Sequence, residues 1–89
     1  MRAIVTVLGK DHVGIIAAVC MRLAADNVNI LDISQTILQG NFTMVMAVEL
    51  PAQGKSFSEL GEGLERLGQE MGLSIRMQRQ EIFDAMYSI

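Results

Sequence analysis

Leu8-Gly9-Lys10-Asp11-His12-Val13-Gly14-Ile15 is the stretch over which the chain changes period. Before it, Ala3 to Leu8 is rich in β-branched side chains and stops at Gly9-Lys10-Asp11, which predicts a strand. After it, between Val13 and Ala25, Ile16, Val19, Cys20 and Leu23 recur at i, i+3, i+4 and i+7, the apolar stripe of an amphipathic helix. Asp11 precedes that helix and is expected to accept hydrogen bonds from its unpaired first-turn amides. Gly14 then sits where strand, loop and helix meet. With no Cβ there, a ligand or a neighbouring backbone can approach the helix N-terminus, whose free amides and dipole favour a carboxylate. Taken alone, Gly14 reads better as a conformational glycine in a connector than as a ligand contact.

Downstream, Asp26-Asn27 ends the helix and Val28 to Gln39 predicts a second strand. Its alternation is irregular: Val28 and Ile30 share one face, Leu31, Ile33 and Ile37 the other. Either a bulge after Ile30 puts Ile30 and Ile33 on one side, or both faces are partly covered. Gly40-Asn41 is expected to form a tight reversal. The next strand has the clearest period of two, with Phe42, Met44, Met46, Val48 and Leu50 on one face. Pro51 to Lys55 forms a linker. Ser56 and Glu59 have the spacing of a capping box at the start of a second helix, whose stripe is Phe57, Leu60, Leu64, Leu67 and Met71. Gly61, Gly63 and Gly68 each weaken that helix by about 1 kcal/mol against alanine, so packing must hold it. Gly72 stops it. Leu73, Ile75 and Met77 alternate in a last strand, and Ile82, Phe83, Met86 and Ile89 could line a short helical tail.

The order strand–helix–strand–strand–helix–strand predicts an α+β fold, a ferredoxin-like βαββαβ sandwich. It has a four-stranded antiparallel sheet, two helices on one face and a short C-terminal helical tail. We expect a single domain over residues 1–89, with its core in 1–80 and its tail in 81–89. One sheet face is left without a helix although it carries apolar side chains. That mismatch predicts a homodimer, through the sheet edge or through the uncovered face.

Composition points the same way. The chain is 51% hydrophobic and 19% charged, with a formal net charge of −3. A domain this short buries only about 60–65% of its unfolded surface, so apolar excess suggests burial between subunits. Seven scattered basic residues lack the clustering of a nucleic-acid footprint. No apolar run reaches membrane-spanning length, and the N-terminus lacks a signal-peptide pattern. One cysteine, Cys20, fits a reducing compartment, and the expected location is cytoplasmic.

Asp11-His12-Val13-Gly14-Ile15 resembles the D-x-x-G-[IL] signature joining the first strand and helix of ACT domains, and Asn27-Val28-Asn29-Ile30 resembles that family's second signature. Among ACT domains the chain is most similar to short stand-alone members, close to the regulatory domains of glycine-cleavage repressors and formyltetrahydrofolate deformylases. The resemblance implies a non-catalytic regulatory module that senses an amino acid or related metabolite at a subunit interface. Carried over by position, it implies ligand-binding roles for Asp11, His12, Val13, Gly14, Ile15, Asn29 and Ile30. It leaves open a partner enzyme or regulator, and it calls for no cofactor. Many ACT domains are fused to an enzyme they regulate, and no such enzyme is contained in these residues.

Other readings compete. The Asn29 amide could pair with an effector or simply start a strand. His12 is the only histidine, and with Asp11 and Asp32 it is too sparse a set for a metal. Cys20 reads as a buried helix residue and not as a nucleophile, while Asp32 and Gln35 face solvent or a subunit boundary. Acylphosphatases share this plan but hold phosphate with an arginine in the first loop, where this chain has Lys10. RNA-recognition domains stack bases on strand aromatics, and Phe42 is the only aromatic in any predicted strand. A structural association module with no small ligand is the remaining alternative.

Overall fold

The computed structural model describes residues 1–87, so Ile89 of the expected tail stripe lies outside the described residues. The elements are β1 (Arg2–Lys10), α1 (Ile15–Ala25), β2 (Asn29–Leu38), β3 (Asn41–Glu49), α2 (Phe57–Met71), β4 (Ser74–Arg79) and α3 (Gln80–Tyr87). They build one antiparallel sheet in the order β2-β3-β1-β4. Its inner face carries Val5 and Val7 of β1, Met44, Met46 and Val48 of β3, and Ile75 of β4. Ile15, Val19 and Leu23 of α1 and Leu60 and Leu64 of α2 close the core from above.

The alternation of β3 appears as expected: Phe42, Met44, Met46, Val48 and Leu50 are all buried. The capping box of α2 is present, with the Ser56 hydroxyl accepting from the Glu59 amide and the Glu59 carboxylate accepting from the Ser56 amide. Gly72 ends that helix in the left-handed region. Of the helical glycines, Gly68 has a reason beyond tolerance. A Cβ there would lie 2.7 Å from the Leu73 carbonyl oxygen, so glycine lets α2 press against the start of β4.

Three expectations are corrected. The first helix begins at Ile15, and its N-cap is Gly14 at φ 95°, not Asp11. The left-handed turn at Gly14 separates Asp11 from the helix, and the Asp11 amide donates instead to the Gly40 carbonyl at 2.8 Å. The hairpin turn is Gln39-Gly40, both with positive φ (52° and 78°), while Asn41 already pairs with Leu38. Two consecutive left-handed residues match the right-handed twist of the flanking strands. Finally, the face opposite α1 and α2 is not bare. Ile4 lies on it, in register with Ala47 and Gln78, and is only 7% exposed. Met86 of α3 receives a hydrogen bond from Gln78 on the same face. The tail therefore folds back as α3 over the β1–β4 half of the open face and leaves the β2–β3 half uncovered.

The irregular β2 is a bulge: the register shifts between Ile30 and Asp32. Beyond it, Ile33 and Ile37 face the helix side, opposite Met46 and Phe42. Neither helix reaches them, and they remain 43% and 53% exposed. The two sheet edges thus differ in character. β4 is six residues long and carries exposed Arg76 and Arg79, which blunt an edge against pairing. β2 is ten residues long, with Leu31, Ile33, Ile37 and Leu38 all exposed.

Candidate functional site at the strand-to-helix loop

The loop 11–14 is held at both ends. Asp11 is tied to the β2–β3 turn through Gly40, and His12 reaches the end of α2. The His12 ring places Nδ1 3.2 Å from the Val13 carbonyl oxygen and Nε2 3.3 Å from that of Met71. Both partners are acceptors, so a neutral imidazole donates to one and an imidazolium to both. Gly14 provides no side-chain cap for α1. The amides of Ile15, Ile16 and Ala17 have no partner within the helix, since the first intrahelical bonds of any α-helix come from later amides. A Cβ on Gly14 would meet nothing within 4 Å, which leaves the approach to those amides open.

Beside this loop lies a cleft of about 210 Å³. Asp11, His12, Gly14 and Ile15 form one wall, with Ile16 and Ala17 of α1. Gln35 and Ile37 of β2 and Phe42 of β3 form the other. Larger clefts of about 330 and 240 Å³ lie between α2 and β4, and one of about 370 Å³ lies beneath the linker at Pro51–Lys55; none of them touches the loop. At about 210 Å³ the loop cleft falls below the roughly 300–1,000 Å³ of sites for drug-sized ligands, so it suits a small molecule. Its chemistry is a set of helix-start amides for a carboxylate, Asp11 and Gln35 as polar groups, and an apolar floor.

Not every expected residue joins it. Val13 is 99% exposed and points away from the cleft. Asn29 and Ile30 lie at the opposite end of β2, beside Glu49 and Val48, about 25 Å along the strand from Ile37 at 3.3 Å per residue. Gln35, Ile37, Ile16, Ala17 and Phe42 do line the cleft but were not marked by any motif. Gln35 carried one faint signal, a polar side chain set among apolar neighbours in a strand. Asp32 and Gln35 are both exposed, and Cys20 is half-buried.

A four-stranded antiparallel sheet carrying two helices, with a small cleft at its first strand-to-helix loop, defines a ferredoxin-like module. The family model of the ACT domain matches residues 2–78, and the chain belongs to the ACT domain family. A UPF0237 protein of Bifidobacterium longum is 51% identical over 88 residues, spanning 99% of this chain and 98% of the relative. The solved structure of an ACT domain protein from Streptococcus pneumoniae superposes with a TM-score of 0.83 at 42% identity, covering 98% of each chain. A putative glycine cleavage system transcriptional repressor matches with a TM-score of 0.71 at 26% identity, over 86% of this chain and 44% of the other. The formyltetrahydrofolate deformylase of Pseudomonas putida shares the fold, with a TM-score of 0.78 at 14% identity over 88% of this chain and 28% of the enzyme. Among the described residues no helix is long and apolar enough to cross a membrane.

Proposed function

We propose that this chain is a non-catalytic regulatory module that binds an amino acid or a related small carboxylate in the cleft beside Gly14, at the boundary between two copies joined through β2. The observation that carries this reading is the openness of the cleft on its β2 side, where Gln35 and Ile37 form a wall that is itself exposed. An antiparallel pairing of β2 with the β2 of a second copy covers that wall. It also brings Asn29 and Ile30 of one copy beside Gln35 and Ile37 of the other, so the two halves of the ligand set meet across the boundary. Ligand binding then stabilises one subunit arrangement, which a partner enzyme or regulator reads as a population shift. No cofactor, nucleic acid or membrane enters the scheme, and a cytoplasmic location goes with it.

The test is a thermal-shift screen of the purified protein against amino acids and folate-related metabolites. Binding selective for the folded state raises the melting temperature, with about 2.7 kcal/mol available at 100 times the dissociation constant. A selective shift that disappears in Gln35→Ala is the expected result. The exposed apolar side chains of β2 and α3 also suit an association module with no small ligand. A flat panel favours that second reading.

A further inference from the structure

The cleft beneath the linker lies at the opposite end of the sheet from the loop 11–14. Its volume of about 370 Å³ falls within the roughly 300–1,000 Å³ of small-molecule sites. Leu50 and Pro51, just past β3, and Phe57 at the start of α2 give it apolar walls. Two of its lining residues carry charge, and both are positive: Met1, with the N-terminal ammonium, and Lys55. Neither cation is fully neutralised. Glu49 is shared between the N-terminal ammonium at 3.0 Å and Arg2 at 3.7 Å, and Asp26 between Lys55 at 3.0 Å and Arg22 at 3.3 Å. Among the described residues no carboxylate lines the cleft. Ala52, Gln53 and Gly54 complete its lining and make no hydrogen bond among the described residues, which leaves three backbone amides without a partner in the fold.

We propose that this cleft is a second binding site, for a carboxylate with an apolar body and no amine. The surroundings select the head group. Two ammonium groups and three unpaired amides attract an anion, and an ammonium has three N–H donors, so each can hold its own carboxylate and a ligand together. Nothing lining the cleft would receive a ligand's ammonium, whereas Asp11 lines the cleft at the loop. Among the described residues no arginine lines the linker cleft. The guanidinium fork that favours a doubly charged phosphate is therefore missing, and a singly charged head group fits. The walls select the body. Leu50, Pro51 and Phe57 offer aliphatic and aromatic surface, and the Arg79 guanidinium, 5.2 Å from the centroid of the Phe57 ring, steadies that wall.

The experiment follows the backbone amide signals of the isotope-labelled protein by NMR while phenylacetate or isocaproate is added to millimolar concentration. Both are expected to shift Ala52, Gln53, Gly54 and Lys55 and to leave residues 11–17 in place. Lys55→Gln is expected to weaken binding about tenfold, the scale of one hydrogen bond to a charged group. Circular dichroism confirms that this variant is folded, since Lys55 is exposed and Asp26 keeps Arg22. Gln35→Ala, which tests the cleft at the loop, is expected to bind both probes unchanged, so the two sites fail separately. Phenethyl alcohol, without the charge, and phenylalanine, with an added ammonium, are expected to bind more weakly than phenylacetate. Equal binding of either one overturns the ligand class. Shifts confined to residues 11–17, no shift at millimolar probe, or an affinity untouched by Lys55→Gln overturns the site.

Discussion

Gly14 joins local backbone geometry to chemistry. At φ 95° it occupies a region that side chains rarely enter, yet a Cβ there would strike nothing. The cost of replacing it is therefore strain and not collision. Gly14→Ala should lose about 1–3 kcal/mol in urea unfolding, as a non-glycine residue forced into that region does. Gly14→Asn should lose less, since asparagine tolerates left-handed backbone. Equal losses in the two variants would show that the Cβ meets a steric barrier absent from the structure. Sequence alone flags Gly14 as special but leaves the reason open, because a glycine kept for ligand approach and one kept for backbone freedom look identical. The structure shows left-handed backbone at Gly14 and open space where its Cβ would lie. Gly68 is the contrary case: it reads as a weak point of the helix, yet a Cβ there would collide with the Leu73 carbonyl at the start of β4.

Elements were legible where their signals are local and reciprocal. The capping box of α2 and the strict alternation of β3 are patterns within a few residues, and both appear as read. The hairpin turn shifts by one residue because Gln39, not a usual turn former, takes positive φ. The start of α1 shifts because its sequence is apolar nearly all round, so the stripe does not mark where the helix begins. The carboxylates holding these elements also set their acid response. Burial raises the Asp26 carboxyl, but Lys55 at 3.0 Å and Arg22 at 3.3 Å outweigh it and hold it below the ordinary range. Glu59 is lowered by its hydrogen bond from the Ser56 amide, and Glu49 by its hydrogen bond from the N-terminal ammonium. With folded values below unfolded ones, the unfolded chain binds more protons as pH falls from the ordinary carboxylate range, about 4, toward the folded values. Stability should be level near neutrality, decline across that window, and level again below the folded values. Urea titrations of wild type and Asp26→Asn check this, the variant being less stable at pH 7 and flatter in acid. Ser56→Ala should cost about 1 kcal/mol at neutral pH through loss of the cap.

For the whole molecule, the sheet's two edges and two faces are treated unequally. β4 is short and charged, α1 and α2 cover one face, and α3 covers half of the other. Exposed apolar side chains lie along β2 and on α3, besides Leu8 of β1, Val13 of the loop, and Ile16 and Met21 of α1. A chain that hides such side chains in an assembly gains folded-state stability by mass action, so its melting temperature should rise with protein concentration. A constant melting temperature over a hundredfold dilution would show a folded state indifferent to assembly. The fold was legible from the order of elements, whereas the β2 wall of the cleft was not: Gln35 and Ile37 belong to no motif, and Asn29 and Ile30, which do, lie at the far end of that strand.

The bond from the Asp11 amide to the Gly40 carbonyl joins the cleft's loop to the tip of the β2–β3 hairpin at 2.8 Å. That one amide proton is a natural gauge. Its exchange with deuterated solvent proceeds only when loop and hairpin part, so its rate with and without a ligand would time how often the two halves of the cleft let go of each other.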